Sequence, residues 1–191
     1  MIRTKQDLRK CIHLELSVYS HYMFKSKIRN IMSRIKREPI RMIYSFLVLS
    51  RKTDFYLLRK NSSGGFINKF LYLYFVMMKN RLGEKLSLEV DTTNIEPGLL
   101  MYHYNIVING NSKIGKNCHL HGNNCIGNDG KSDDCPVVGD NVSLGVGAVI
   151  IGNVTIANNI KIGAGAVVVH SFLEDGITIG GIPAKKLDKA V

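Results

Sequence analysis

The chain of 191 residues has no tryptophan, only four prolines and only four cysteines. Four thiols are too few to staple a secreted scaffold of this length. Long apolar runs are missing as well. The longest, Phe70 to Met78, has nine residues, whereas a membrane-spanning helix needs about 20. The opening Met1-Ile-Arg-Thr-Lys-Gln-Asp7 is polar and does not read as a signal peptide. Hydrophobic residues make up 45%, which excludes a disordered chain. The length suits one core with an appendage.

Glycine and acidic charge are scarce in one half only. Residues 1–90 hold 19 Lys and Arg against 6 Asp and Glu, a net of +13, and only three glycines, Gly64, Gly65 and Gly83. Residues 91–191 carry a net of −2 and the other fifteen glycines. The overall +11 suggests a polyanion partner, but the charge belongs to one segment. The first segment reads as helical. Thr4 caps a helix over Lys5–Tyr19, with Asp7 at its positive end. Ile28 to Lys36 is short and basic. Pro39 opens a helix to about Lys60, stopped by Asn61-Ser-Ser-Gly-Gly65. A last helix spans Phe66 to Leu82. The basic face of this whole segment is either the wet side of a helical cap or a surface for peripheral contact with an anionic membrane. Nucleic acid is not expected, because no binding signature accompanies the charge.

The second segment is periodic. Steps of six from Ile108 meet Ile114, Leu120, Ile126, Ser132, Val138, Leu144, Ile150, Ile156, Ile162 and Val168, all aliphatic except Ser132. Ser132 lies in the polar stretch Asn128–Pro136, which is expected to loop out. Three residues after each, up to Ile162, stand Asn111, Asn117, Asn123, Asp129, Asn141, Gly147, Asn153, Asn159 and Gly165, with Asn105 one step earlier and Cys135, in the polar stretch, the exception. These residue types tolerate a positive φ, so a left-handed corner is expected every six residues. A third column, Ser112, Cys118, Val142, Ala148, Val154 and Ala166, is small or branched and should point inward. Short parallel strands joined by corners satisfy all three columns. A helix would scatter them over different faces.

With these columns, the sequence resembles the left-handed β-helix acyltransferases built on hexapeptide repeats. Residues 95–187, from Ile95-Glu-Pro-Gly-Leu-Leu-Met-Tyr-His103 through Ile106-Val-Ile-Asn-Gly110, Gly127-Asn-Asp-Gly-Lys131 and Val149-Ile-Ile-Gly-Asn153 to Gly181-Ile-Pro-Ala-Lys185, are similar to the serine acetyltransferase branch. They are more similar still to its relatives among capsule and exopolysaccharide O-acetyltransferases. The resemblance implies triangular coils of 18 residues, stacked about 4.8 Å apart, and a homotrimer with sites between subunits. It implies acetyl-CoA as co-substrate, no metal, and a cytoplasmic enzyme, peripheral at the inner membrane face if the basic region meets lipid. The expected architecture is mainly β. A basic α-helical region over 1–93 precedes a left-handed parallel β-helix over 94–191, with an excursion at 128–137 and a short C-terminal tail.

The same resemblance assigns chemistry. His103 matches the catalytic histidine and is the candidate general base, since imidazole titrates near neutrality. Tyr102 stands where the serine enzyme has an aspartate supporting that histidine, so Tyr102 or Glu96 is the candidate to orient it. His121 follows His103 by 18 residues and is expected directly above it. There it either contacts the acceptor and tunes the base or simply faces solvent. Asn105, Asn123 and Lys131 complete the candidate acceptor region. Cys135 replaces a histidine of the serine enzyme beside the excursion. For coenzyme A the candidates are Gly127, Ala148, Gly163, Ala164 and Gly165, small enough for close approach, with Lys185 and Lys186 for its phosphates. The expected reaction is acetyl transfer to a hydroxyl of a surface polysaccharide or its sugar precursor. The alternatives are serine O-acetylation for cysteine synthesis, or a non-catalytic scaffold.

Overall fold

A computed structural model describes residues 2–23, 31–33, 35–63 and 65–187. The chain divides into two compact units, Met1–Ser87 and Leu88–Val191.

The first unit is helical: α1 (Lys5–Tyr19), α2 (Pro39–Ser63) and α3 (Phe66–Leu86). Thr4 and Asp7 form a reciprocal capping box at the start of α1. The Asp7 amide donates to Thr4 Oγ1 at 3.0 Å, and the Thr4 amide donates to Asp7 Oδ2 at 2.8 Å. Two orphan donors of the helix start are thereby satisfied. Tyr19, Ile43, Phe46, Leu47 and Phe55 are buried where α1 and α2 pack. Among them the Arg51 guanidinium donates to Glu15 Oε1 from Nη2 at 2.8 Å and from Nε at 3.1 Å, both side chains buried. Burial and then nearby carboxylates push the Cys11 thiol up to about 11, although Arg51 opposes them. α3 runs four residues past the expected end and stops at Ser87, in the left-handed region at φ 50°. Of the basic segment 28–36, residues 28–30 and 34 lie outside the described residues, and 31–33 are helical. No described helix is long and apolar enough to cross a membrane.

The second unit is a three-sided parallel coil. Its first face stacks β1 (Leu88–Val90), β3 (Ile106–Ile108), β6 (Cys125–Gly127), β9 (Val149–Ile151) and β12 (Val167–Val168). The second stacks β4 (Lys113–Ile114), β7 (Val137–Val138) and β10 (Thr155–Ile156). The third stacks β2 (Leu100–Met101), β5 (His119–Leu120), β8 (Ser143–Leu144), β11 (Lys161–Ile162), β13 (Thr178–Gly180) and β14 (Lys185–Lys186). The first strand falls at Leu88–Val90, paired with Ile106–Ile108. The helical region therefore ends at Ser87 rather than at 93, because Leu88 and Val90 already carry the inward alternation of the coil.

The aliphatic column lines the interior, as do all six members of the third column. The corners differ from expectation in one respect. Asn117, Asn141 and Asn159 turn the second face into the third, and Asn105, Asn123, Gly147 and Gly165 turn the third into the first, all at positive φ. Asn111, Asp129 and Asn153 do not have positive φ. At this remaining corner the Asn109 side chain accepts from the Asn111 amide, or Gly152 takes the left-handed position at φ 88°. The exposed asparagines hydrogen-bond in ladders: Asn105 Nδ2 to Asn123 Oδ1 at 2.8 Å, and Asn141 Nδ2 to Asn159 Oδ1 at 3.1 Å. The excursion costs one coil six residues. Ile114 pairs with Val138, and Ile126 with Ile150, 24 positions apart instead of 18. It ends at Pro136, since Val137 already belongs to β7. Residues 188–191 of the expected tail lie outside the described residues.

Candidate active site

The turn from the third face to the first carries the candidate chemistry. In the upper coils, five steps separate Leu120 from Cys125 and Leu144 from Val149. In the lowest coil the equivalent stretch, Met101 to Val107, takes six. Asn105 and Asn123 remain in register through their side chains, and the Asn123 amide donates to the Tyr104 carbonyl at 3.1 Å. The extra residue therefore sits in the turn Tyr102–Asn105 and swells it outward at His103, which is exposed.

This bulge changes what lies above the histidine. Leu100 pairs with His119 and Met101 with Leu120, so Tyr102 falls opposite His121 and His103 opposite Gly122. The expected stacking of His121 directly over His103 is corrected accordingly. The Tyr102 ring stacks on His121, with centroids 4.5 Å apart and planes 29° apart, and meets His119 edge-on at 6.0 Å. His119 and His121 both point outward, because the buried Leu120 between them points in. Gly122 leaves room for the bulge. A Cβ at Gly122 would lie 2.7 Å from that of His103. Burial, and secondarily the neighbouring His103, lowers the His121 imidazole below its usual value. His119 is lowered by burial and then by His121. These two rings are thus disposed to stay neutral beside the candidate base.

Asn124 is a buried polar residue that the columns did not single out. Its Oδ1 accepts from the Gly122 amide at 2.9 Å, and its Nδ2 donates to the carbonyls of Gly145 at 2.8 Å and Ala148 at 3.1 Å. It clamps the corner behind His103. The signal was present in the sequence: Asn124 is a lone amide in the inward column of small and branched residues.

The other candidates are spread along the coil. Glu96 is exposed beside Pro97 and Gly98, where Pro97 accepts from the Asn117 amide. That is the opposite corner of the third face from His103, so Tyr102 rather than Glu96 adjoins the base. Gly163, Ala164 and Gly165 continue the His103 corner three coils up, about 14 Å away at strand spacing. Gly145, which would crowd Ala164 if it carried a Cβ, lies between them. Ala148 is fully buried, so it offers a ligand only its backbone. Gly127 belongs to another corner, beside Asn109, and leads into the excursion. There Asp129 Oδ1 accepts from the amides of Lys131 and Ser132 at 2.9 and 3.2 Å. Lys185 is exposed on β14, while Lys186 is engaged with Glu174 at 2.6 Å. Among the described residues no group of three His, Cys, Asp or Glu forms a metal-holding cluster.

No family model matches the sequence, and no curated protein matches it significantly. Solved structures do match. The Neisseria gonorrhoeae serine acetyltransferase in complex with serine superposes with a TM-score of 0.62 at 23% identity, over 96% of this chain and 70% of that one. The soybean serine acetyltransferase apoenzyme gives 0.65 at 22%, over 94% and 69%. The serine acetyltransferase from Brucella abortus, in complex with coenzyme A, gives 0.69 at 19%, over 96% and 68%. What this chain shares with them is the fold, a left-handed parallel β-helix preceded by helices.

Proposed function

We propose that this protein transfers an acetyl group from acetyl-CoA to a hydroxyl of its acceptor, with His103 as general base. The supporting observation is the bulged corner: a β-helix of the serine acetyltransferase fold presents an exposed histidine on a turn one residue longer than those stacked above it. An imidazole nitrogen takes the hydroxyl proton as the oxygen attacks the thioester carbonyl. The tetrahedral intermediate collapses by breaking the C–S bond, and the proton passes to the leaving thiolate. In this reading Gly163, Ala164 and Gly165 line the coenzyme A path, and Lys185 meets its phosphates more readily than Lys186. A homotrimer with sites between subunits belongs to the same reading.

Serine is the acceptor that the structural neighbours favour, two of them having been solved in complex with serine. A sugar hydroxyl is favoured by a feature of this chain itself. Tyr102 fills the position before His103 with an aromatic ring stacked on His121, an apolar platform suited to a pyranose face and lacking a carboxylate for an ammonium group. The test is thiol release from acetyl-CoA by purified protein, with L-serine and with capsular-type sugars supplied separately. Rapid release with L-serine alone selects serine and excludes the sugar. Release with sugars alone selects the polysaccharide branch. No acceptor-dependent release, unchanged by His103→Ala, leaves the scaffold reading and refutes catalysis.

A further inference from the structure

Independently of the acetyl-transfer reading, α3 presents a bare apolar face. Phe66, Phe70, Leu73, Tyr74 and Met77 recur at the spacing of one helical stripe and are exposed, Phe66 by 84% and Leu73 by 64%. Ile67 and Met78 widen the stripe. The opposite side of α3 is already used. Phe75 stacks on Tyr56 of α2 at 5.3 Å, and the Lys52 and Lys60 ammoniums sit over the rings of Phe75 and Tyr72 at 5.2 and 4.2 Å. The stripe is therefore surplus to the packing of the helical pair, and a patch of this extent is uncommon on a soluble surface without a partner.

Charge selects the partner. α2 and α3 together hold nine Lys and Arg against Asp54 and Glu84. Lys69, Arg81 and Lys85 are exposed on α3 itself. A second copy of the same face would bring like charge against like charge, with one carboxylate on each helix to relieve it. A lipid surface of negative charge offers an apolar layer for the stripe and anionic headgroups for its rim at once. We propose that α3 lies in the interface of an anionic bilayer, its phenylalanine, leucine and methionine side chains inserted and its lysines and arginines at headgroup level.

The absence of tryptophan makes the test direct. The full chain carrying Leu73→Trp is mixed with vesicles of phosphatidylcholine and phosphatidylglycerol in equal parts, and separately with phosphatidylcholine alone. The expected result is co-sedimentation and a blue-shifted emission with the anionic vesicles only, weakened by raising salt. The triple variant Phe70→Ser/Leu73→Ser/Met77→Ser should lose about a hundredfold or more in partitioning, with far-ultraviolet dichroism reporting its helices. Should that variant misfold, Lys69→Gln/Arg81→Gln decides instead, with an expected loss on the order of tenfold or more. Equal binding to neutral vesicles, no binding to either, or a residue 73 tryptophan already buried in a lipid-free self-associated form would overturn the proposal.

Discussion

Gly122 is the most informative single position, because one methyl group there addresses backbone and site together. Its φ is +105°, and a Cβ would lie 2.7 Å from His103 Cβ and 3.3 Å from the Tyr104 carbonyl. Carbon atoms pack best at about 3.5–4.0 Å, so in Gly122→Ala the histidine must retreat by roughly 1 Å. A displacement of that size costs a reaction about 10²-fold. The left-handed backbone adds ~1–3 kcal/mol of strain for any residue with a Cβ. Gly176→Ala separates the two effects, since Gly176 also has positive φ, +76°, with nothing within 4 Å of its would-be Cβ. Both variants should lose stability in urea denaturation by roughly 1–3 kcal/mol. Only Gly122→Ala should also lose about 10²-fold in kcat/KM for acceptor-dependent thiol release. Full kcat/KM in a folded Gly122→Ala protein would show that His103 does not act from this bulge.

Three further outcomes follow from the same structure. Arg51→Ala removes the buried cation paired with Glu15 and should cost about 3–5 kcal/mol by chemical denaturation, whereas Glu15→Leu/Arg51→Met should recover most of it. His119 and His121 bind protons less readily folded than unfolded, so stability should fall as pH drops through 6.5 toward their lowered values and level off below them. Denaturation midpoints between pH 5 and 8 would measure that slope, which His119→Gln/His121→Gln should flatten. Thr4→Ala removes one half of the capping box and should lower stability by about 1 kcal/mol, read as a lower urea midpoint at unchanged slope.

The repeat was legible because its period is set by steric demands repeated at each step: an inward aliphatic, a tight corner, a small residue beside it. Thr4 and Asp7 were legible for a similar reason, since capping is decided within four residues. Where the sequence misled, the cause was a count taken across a non-uniform coil. The 18-residue spacing of His103 and His121 holds for a regular coil, but the extra residue in the Tyr102–Asn105 turn shifts the pairing by one and gives His121 to Tyr102. The aliphatic column carries the trace of it only at its lower end: one step of six back from Ile108 falls on Tyr102, whereas the buried residue paired with Leu120 is Met101. Glu96 was misleading in the opposite way. It is close to His103 in sequence, but a whole face of the coil separates them. Lys186 was expected to serve a phosphate, and its pairing with Glu174 depends on a chain reversal that the repeat does not encode.

That reversal has a consequence for assembly. Up to β13 every neighbour on the third face runs parallel, and such a stack exposes at its top an edge of the same direction as an incoming coil. β14 turns back and pairs antiparallel with β13, Ile179 opposite Lys186 and Gly180 opposite Lys185. A further coil arriving in the parallel sense would meet a strand of the wrong polarity, bearing two exposed lysines. β14 thus covers the parallel edge of β13 with a strand of opposite polarity and positive charge.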